Sequence, residues 1–470
     1  MSTSPSSTFH PLPPTKVFAF MGFVACALGY VFLKDNPLPR VLFLGGGFLG
    51  VLLLYFSGFF RLEGLLYLFV VCHPFSYAIP GDFGNVFPGL NLTNILIALI
   101  TVLWLRERDR NEPVFAKSPL NRLIAIFLLI GLFSIVRGAG YGTEYLAKAT
   151  VQYYRKWIVP AYLFFLFFNS IRNKETVRNI VLIIMMVTTL VGLMAIYEYR
   201  DVQDRVRGIF DQPNFLAAFF NYYMFLPFGF FVLHMKKFKY WAFLIPFLIQ
   251  FRGVMVTSSR AGYLASAVSL YAVTYFRSKL LLISLILVTA FVYYNPAFLP
   301  EGIRYRVGQT LEKKVQYSTE NSVITTEKLE VSAGDRVRVW EAAKFMIKDH
   351  PVFGVGFNLF EAKVLHYWAG RKTHDPHNTY LWIAAEMGLP ALLIFILILW
   401  RFFSSARLLF RKTQDPFSKA LALGFLGGFF GLLVTNIYGS RFAYAEAISY
   451  FWILTACIMR LNILEGIKKS

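Results

Sequence analysis

Long apolar runs separated by short basic loops constrain this chain more than any other feature. Many of the runs are 16–22 residues long. At 1.5 Å per residue, helices of that length cross most or all of a hydrocarbon core of about 30 Å. Lipid cannot hydrogen-bond a backbone, so such runs fold as helices, whose polar groups are satisfied internally. Spans are expected near 17–33, 38–56, 63–79, 91–105, 120–136, 157–170, 177–198, 214–233, 240–256, 260–276, 280–294, 379–400, 418–437 and 442–460. Hydrophobic residues make up 57% of the 470 and charged residues 16%, whereas a soluble domain is about one quarter charged. The expected fold class is an all-α polytopic membrane protein. It has about 12–14 transmembrane helices, with a helical periplasmic insertion before the last three spans.

The charges give an orientation. Arg106, Arg108, Arg110 and Lys117 lie in one loop, and Arg172, Lys174 and Arg178 in a second. Lys236, Lys237, Lys239, Arg277, Lys279, Arg401, Arg407, Arg411 and Lys412 continue the same alternate set, which the positive-inside rule assigns to the cytoplasm. The loop at 80–90 has neither Lys nor Arg and belongs to the other side. On this reading 1–16 is a cytoplasmic tail and 17–294 is a transmembrane region of about eleven spans. Residues 295–376 form a periplasmic loop with an amphipathic helix, 377–461 the C-terminal transmembrane helices, and 462–470 a cytoplasmic tail.

The net charge of +21 does not indicate nucleic acid, because the cations sit in short clusters between apolar runs. Cys26, Cys72 and Cys457 all lie in apolar runs. They read as small core residues, with no disulfide framework and no thiol–metal spacing. No internal repeat is evident, which argues against an inverted-repeat transporter.

Several cations fall on the wrong side of the charge rule: Arg137, Lys148, Arg155, Lys156, Arg207, Arg252 and Arg260. A misplaced cation costs insertion free energy and needs a reason. One reason is pairing with lipid phosphate at the interface. The other is an anionic substrate at the outer face. Arg260, in Thr257-Ser-Ser-Arg-Ala-Gly262, has small neighbours, so a guanidinium there can take a phosphate bidentately or simply snorkel.

Arg336 and Arg338 open a stretch whose later apolar positions, Trp340, Ala343, Met346 and Ile347, recur at helical spacing. Gly334-Asp335 is expected to cap that helix, which puts Arg336 in its first turn, where backbone N–H groups favour an anion. An ordinary surface helix is the alternative. His377-Asn378 stands at the mouth of the span near 379–400. A histidine there, near arginines, suits a general base or a capping residue. His374 and His377 also form an HxxH, but Asp375 is the one acid beside them, which does not make a metal cage. No metal site is expected. Asp211-Gln212-Pro213-Asn214 suits either a helix start or a place for sugar hydroxyls.

Taken in order, these segments resemble the bacterial O-antigen ligase and O-antigen polymerase family of lipid-linked glycan glycosyltransferases. The resemblance rests on RGIFDQPNFLA at 207–217, SSRAG at 258–262 and R-x-x-x-W from Arg336 to Trp340. It continues with HPVFGVGFNLF at 350–360, HN at 377–378 and AEMGLP at 385–390. It implies a multi-pass enzyme of the bacterial inner (cytoplasmic) membrane with its active site facing the periplasm. The implied donor is an undecaprenyl-diphosphate-linked glycan. The implied acceptor is a glycan, the lipid A core or a protein, so the product is lipopolysaccharide, exopolysaccharide or glycoprotein. It also implies that Arg260 and Arg336, with Arg338 as a further ligand, bind the diphosphate and that His377 is catalytic. Arg207, Asn214, Asn378 and His374 are candidate glycan or acceptor contacts. No cofactor is implied; membrane lipids are expected partners and nucleic acid is not. The competing reading is a polytopic transporter or lipid-linked glycan flippase, which would place charge near the bilayer midplane.

Overall fold

The computed structural model describes residues 61–76, 91–108, 113–202, 205–210, 212–299, 304, 331–368, 373 and 375–467. The expected spans near 17–33 and 38–56, the loop at 80–90, Cys26, Asp211 and His374 lie outside them. The chain forms two compact units. One comprises 1–114 with 169–183, the other 115–168 with 184–470.

The first unit contains α1 (Leu62–Cys72) and α2 (Leu92–Glu107). Asn91 caps α2 by accepting from the Asn94 N–H at 2.8 Å. Glu63 on α1 accepts from the Thr176 hydroxyl at 3.0 Å, and the Tyr67 hydroxyl accepts from Asn179 at 3.2 Å.

Along the chain follow α3 (Asn121–Arg137), α4 (Thr143–Tyr153), α5 (Val159–Ser170) and α6 (Lys174–Val202). Next come α7 (Pro213–Tyr223), α8 (Phe225–Leu233), α9 (Leu244–Val256), α10 (Arg260–Arg277) and α11 (Lys279–Tyr294). The remainder is α12 (Val331–Asp349), α13 (Phe360–Tyr367), α14 (Thr379–Met387), α15 (Leu389–Lys412), α16 (Pro416–Ile437) and α17 (Ala445–Leu464). The protein is an all-α polytopic membrane protein, and no strand occurs among the described residues.

Six stretches among them are long and apolar enough to cross a membrane: 121–141, 174–200, 213–233, 389–412, 416–437 and 445–464. The structure differs from several of the expected spans. The runs near 91–105 and 280–294 form helices of 16 residues, and the run near 240–256 a helix of 13. These are short for a full crossing. The run near 379–400 is not one helix, because Gly388 at φ +88° breaks it into α14 and α15. The amphipathic helix starts at Val331, so Gly334-Asp335 lies inside α12 and is not its cap. Arg336 is therefore past the first turn.

Helix α16 is the centre of the second unit, packing on α7, α8, α10, α15 and α17. Its Gly-rich face makes this possible. A Cβ on Gly424 would meet the Phe225 carbonyl oxygen at 2.5 Å, and one on Gly428 would collide with the Tyr222 carbonyl. Backbone-to-backbone approach of this kind supplies packing where lipid supplies no hydrophobic drive.

Hydrogen bonds sort the interhelix segments of this unit to two ends. At one end Val206 N–H donates to Val256 O at 3.2 Å and the Ser259 hydroxyl to Asn214 Oδ1 at 2.8 Å. At that end, too, Trp340 Nε1 donates to Pro376 O at 2.9 Å. At the other end Arg277 Nε donates to Val232 O at 3.3 Å, and Glu465 accepts from the Thr413 and Ser418 hydroxyls at 2.5 and 2.6 Å. The second end holds Arg277, Arg411 and Lys412, members of the basic set expected in the cytoplasm. A single cysteine at Thr373, with the native cysteines replaced by serine, should label with an impermeant maleimide in intact spheroplasts. One at Lys237 should label only after lysis. The reverse pattern inverts the orientation.

Candidate active site

The site is built around the loop that precedes α14. His377 has φ +51°, a left-handed conformation that is costly for a side chain with a Cβ. Asp375 holds it there. Its Oδ1 accepts from the His377 backbone N–H at 2.5 Å and lies 3.2 Å from His377 Nδ1. A carboxylate can only accept, so Nδ1 carries the proton of the neutral ring and Nε2 keeps its lone pair. The ring is 48% exposed, so a proton donor can reach it. Asp375 accepts a further bond from the Ser440 hydroxyl at 2.9 Å. Burial works against its charge, but the His377 hydrogen bonds and charge, with Ser440, outweigh burial and hold its pKa down to about 2.

Arg441 stands behind this pair in the short turn between α16 and α17. It is 6% exposed, and its guanidinium lies 4.1 Å from the centre of the Phe215 ring. Burial lowers its pKa to about 10, while the Asp375 charge acts to restore it and the Arg336 charge to lower it further. Even so, it stays a cation at neutral pH. Arg441 thus links the His377 loop to α7 through Phe215 and feels the field of Arg336.

Arg336 and Trp340 are one turn apart on α12. Trp340 donates to Pro376 O at 2.9 Å and packs on Tyr438 with ring centroids 6.2 Å apart, so the R-x-x-x-W helix leans directly on the His377 loop. Arg338, two residues from Arg336, is exposed.

Arg260 is the first residue of α10. Ser259 caps that helix by accepting from the Gly262 N–H at 3.3 Å, and a methyl on Gly262 would press on Ala217 at 2.9 Å. Asn214 is not a cap. It accepts from the Ser259 hydroxyl and from Arg205 at 3.2 Å, and Arg205 also donates to Thr257 O at 3.2 Å. The next residue, Phe215, carries Arg441 over its ring. Arg207 is exposed, and the Arg207 and Gly208 N–H groups both donate to Glu198, at 3.2 and 2.9 Å. Asn378 is 7% exposed. Its Oδ1 caps α14 by accepting from the Tyr380 and Leu381 N–H groups at 3.0 Å each.

The glycine-bearing segments 350–360 and 385–390 are each other's partners rather than a ligand loop. Val355 N–H donates to Ala385 O at 2.8 Å, Gly356 N–H to Glu386 O at 3.1 Å, and Leu389 N–H to Pro351 O at 2.8 Å. Gly354 at φ +63° and Gly388 at φ +88° touch the opposite backbone, where any Cβ would collide. The buried Glu386 carboxylate accepts from the Phe360 N–H at 3.1 Å. Arg137, at the end of α3, donates to Gly354 O.

Three non-glycine residues among those described have positive φ: Ser258, Asn358 and His377. Each lies in one of the segments SSRAG, HPVFGVGFNLF and HN. Strain of this kind persists only where the surroundings over-determine it, and it gathers at functional sites.

Sequence reasoning missed two groups, Asp375 as the partner of His377 and Arg441 as the buried cation. Arg441 carried a usable signal, because it is one more cation in an outer loop. No group of three or more His, Cys, Asp or Glu side chains that could hold a metal ion occurs among the described residues.

No curated protein matches this chain. Residues 245–396, which include Arg260, Arg336, Arg338 and His377, match the family model described as O-antigen ligase, and that match supports placing the chain in the O-antigen ligase/polymerase family.

Proposed function

We propose that the chain is a membrane glycosyltransferase that moves or polymerises a glycan from undecaprenyl diphosphate onto an acceptor hydroxyl at the periplasmic face. The observation that carries this reading is His377, its side chain half exposed and fixed at Nδ1 by Asp375, beside a buried arginine and the Arg336 helix. Nε2 takes the acceptor proton as the hydroxyl oxygen attacks the anomeric carbon. The bond from that carbon to the diphosphate oxygen breaks, and the diphosphate leaves with the electron pair. Arg260 and Arg336 bind it, with Arg338 as a further ligand, and stabilise its developing charge. Asp375 and Arg441 are positioning residues: the first fixes the ring's tautomer and orientation, and the second balances the first.

A flippase needs charge within the bilayer. Here Arg137, Arg260, His377 and Arg441 stand at helix ends or in the turns between helices, which favours chemistry at an interface. The charge asymmetry of the loops supports a site on the side away from the cytoplasm, which we take to be the periplasmic face of the inner membrane.

Complementation of a deletion strain, with insertion checked by blot, tests the base. His377→Ala should lower transfer by about 10²–10⁴-fold. Normal glycan from that variant removes His377 from the chemistry. Asp375→Asn keeps the hydrogen-bond acceptor and loses the charge. It should lower kcat by about tenfold or more with KM little changed, the pattern of a group that acts through the base.

For the diphosphate ligands, Arg260→Lys and Arg336→Lys should each raise KM for the donor by about tenfold, because a point charge cannot reproduce the guanidinium fork. Near-normal turnover of both variants at subsaturating donor would show that neither arginine binds the diphosphate.

With arginines in place of a divalent ion, transfer in excess EDTA should stay within about twofold of the rate with added Mg²⁺. A large loss restored by one metal would return the HxxH at 374–377 to the role of ligand pair.

A further inference from the structure

A cleft of about 490 Å³ opens at the end of the second unit opposite the His377 loop. It forms where α8, α10 and α15 end and α16 begins. Arg277 is the last residue of α10, Arg411 lies in the last turn of α15 and Lys419 in the first turn of α16. His234, Phe410 and Pro416 complete most of the lining.

The cleft is cationic, and no carboxylate lines it among the described residues. The nearest acids in sequence are already engaged. Asp415 caps α16 by accepting from the Ser418 N–H at 2.8 Å, and Glu465 holds the Thr413 and Ser418 hydroxyls. None of the three cations is ion-paired with a described carboxylate. Arg277 Nε is fixed on Val232 O at 3.3 Å, which aims the guanidinium, and Lys419 Nζ lies 5.8 Å from the centre of the Phe410 ring. Three like charges around one opening repel, and a bound anion recovers that free energy.

We propose that this cleft binds the phosphodiester headgroup of an anionic phospholipid. Three of the stretches that meet here, 213–233, 389–412 and 416–437, are long and apolar enough to cross a membrane. Their ends therefore lie at headgroup depth. Leu233, Phe410 and Pro416 sit among the cations, and this mixture suits a phosphate joined to glycerol and the first acyl carbons. A free inorganic anion has no use for the apolar part. Arginine takes a phosphodiester bidentately, and lysine adds a point charge. The site shares no residue with the glycan-transfer reading and stands or falls separately.

The test uses the full-length chain, purified in detergent and stripped of lipid. Dioctanoyl phosphatidylglycerol is titrated by thermal shift, with retained lipid counted by native mass spectrometry. Phosphatidylglycerol should raise Tm and remain bound; phosphatidylcholine of the same chain length should do neither. The triple variant Arg277→Gln, Arg411→Gln, Lys419→Gln should bind about a hundredfold more weakly, at roughly fivefold per cation removed. Lys237→Gln, an exposed cation outside the cleft, should bind as wild type. If the triple variant does not fold, Arg411→Gln alone, exposed at the end of α15, should show the fivefold loss. Wild-type binding by the variants, or equal binding of phosphatidylcholine, overturns the proposal. So does inorganic phosphate producing the same shift, since that marks a site for a free anion.

Discussion

The Asn436 side chain joins the segments on which the candidate site is built. Its Oδ1 accepts from the Thr379 hydroxyl at 2.6 Å and from the Phe442 N–H at 2.7 Å, and its Nδ2 donates to the Tyr222 hydroxyl at 3.1 Å. Thr379 is two residues after His377, and Phe442 is the residue after Arg441. Tyr222 brings in α7, whose start carries Asn214 and Phe215. One buried amide thus fixes the distance between a loop with an exposed histidine and a turn with a buried arginine. Such a network is stable only when every member is satisfied, and in a low-dielectric interior an unsatisfied member is expensive. Fixing three loops at once is what a site made of interhelix segments requires, because loops alone are mobile.

Below that network, glycine does a different job. On α16 it lets α7 and α8 come within backbone contact, and at Gly354 and Gly388 it lets two loop backbones hydrogen-bond edge to edge. Both cases replace side-chain volume by close approach. The segments 350–360 and 385–390 are therefore a clamp around the start of α15. Arg137 and Ser134 on α3 complete it, the latter donating to Glu386 O at 2.7 Å. The clamp holds α14 and so holds His377 from the other side.

Much of this was legible in the sequence, and the reasons are physical. Apolar length gave the helices 121–137, 213–233, 416–437 and 445–464 nearly at their observed bounds, because lipid demands a fixed length. Arg260, Arg336 and His377 stood out because charge in an apolar chain needs a cause. The break at Gly388 was missed although Gly388 followed by Pro390 is a helix-stop pattern, because the apolar run continues across it; the touching Val352 backbone is what demands the positive φ. The early start of α12 was missed because Gly and Asp favour a cap over a helix interior, whereas the helix runs through both. Asp375 read as a lone acid beside a doubtful HxxH. Its role depends on Ser440, which is 65 residues away in sequence, and no local pattern reports that. Arg441 could have been singled out as one more outer-loop cation, but its burial against Phe215 depends on a residue far away in sequence.

Charge balance explains why a buried arginine is tolerable at such a place. Arg441 has the Asp375 charge to offset its own, but Asp375 is shared with His377, and Arg336 adds a second cation to the same field. Two cations, Arg441 and Arg336, therefore share one field with the Asp375 carboxylate. On the proposed reading, an incoming diphosphate would add anionic charge beside both. Binding is then strongest where the ligand's charge is greatest. For the proposed transfer from a diphosphate, charge is greatest on the leaving group as the glycosidic bond breaks, so cations held there favour the transition state over the ground state. Asp375 is fixed on the histidine side by Ser440 and by the His377 backbone N–H, so its charge serves the imidazole as well as Arg441.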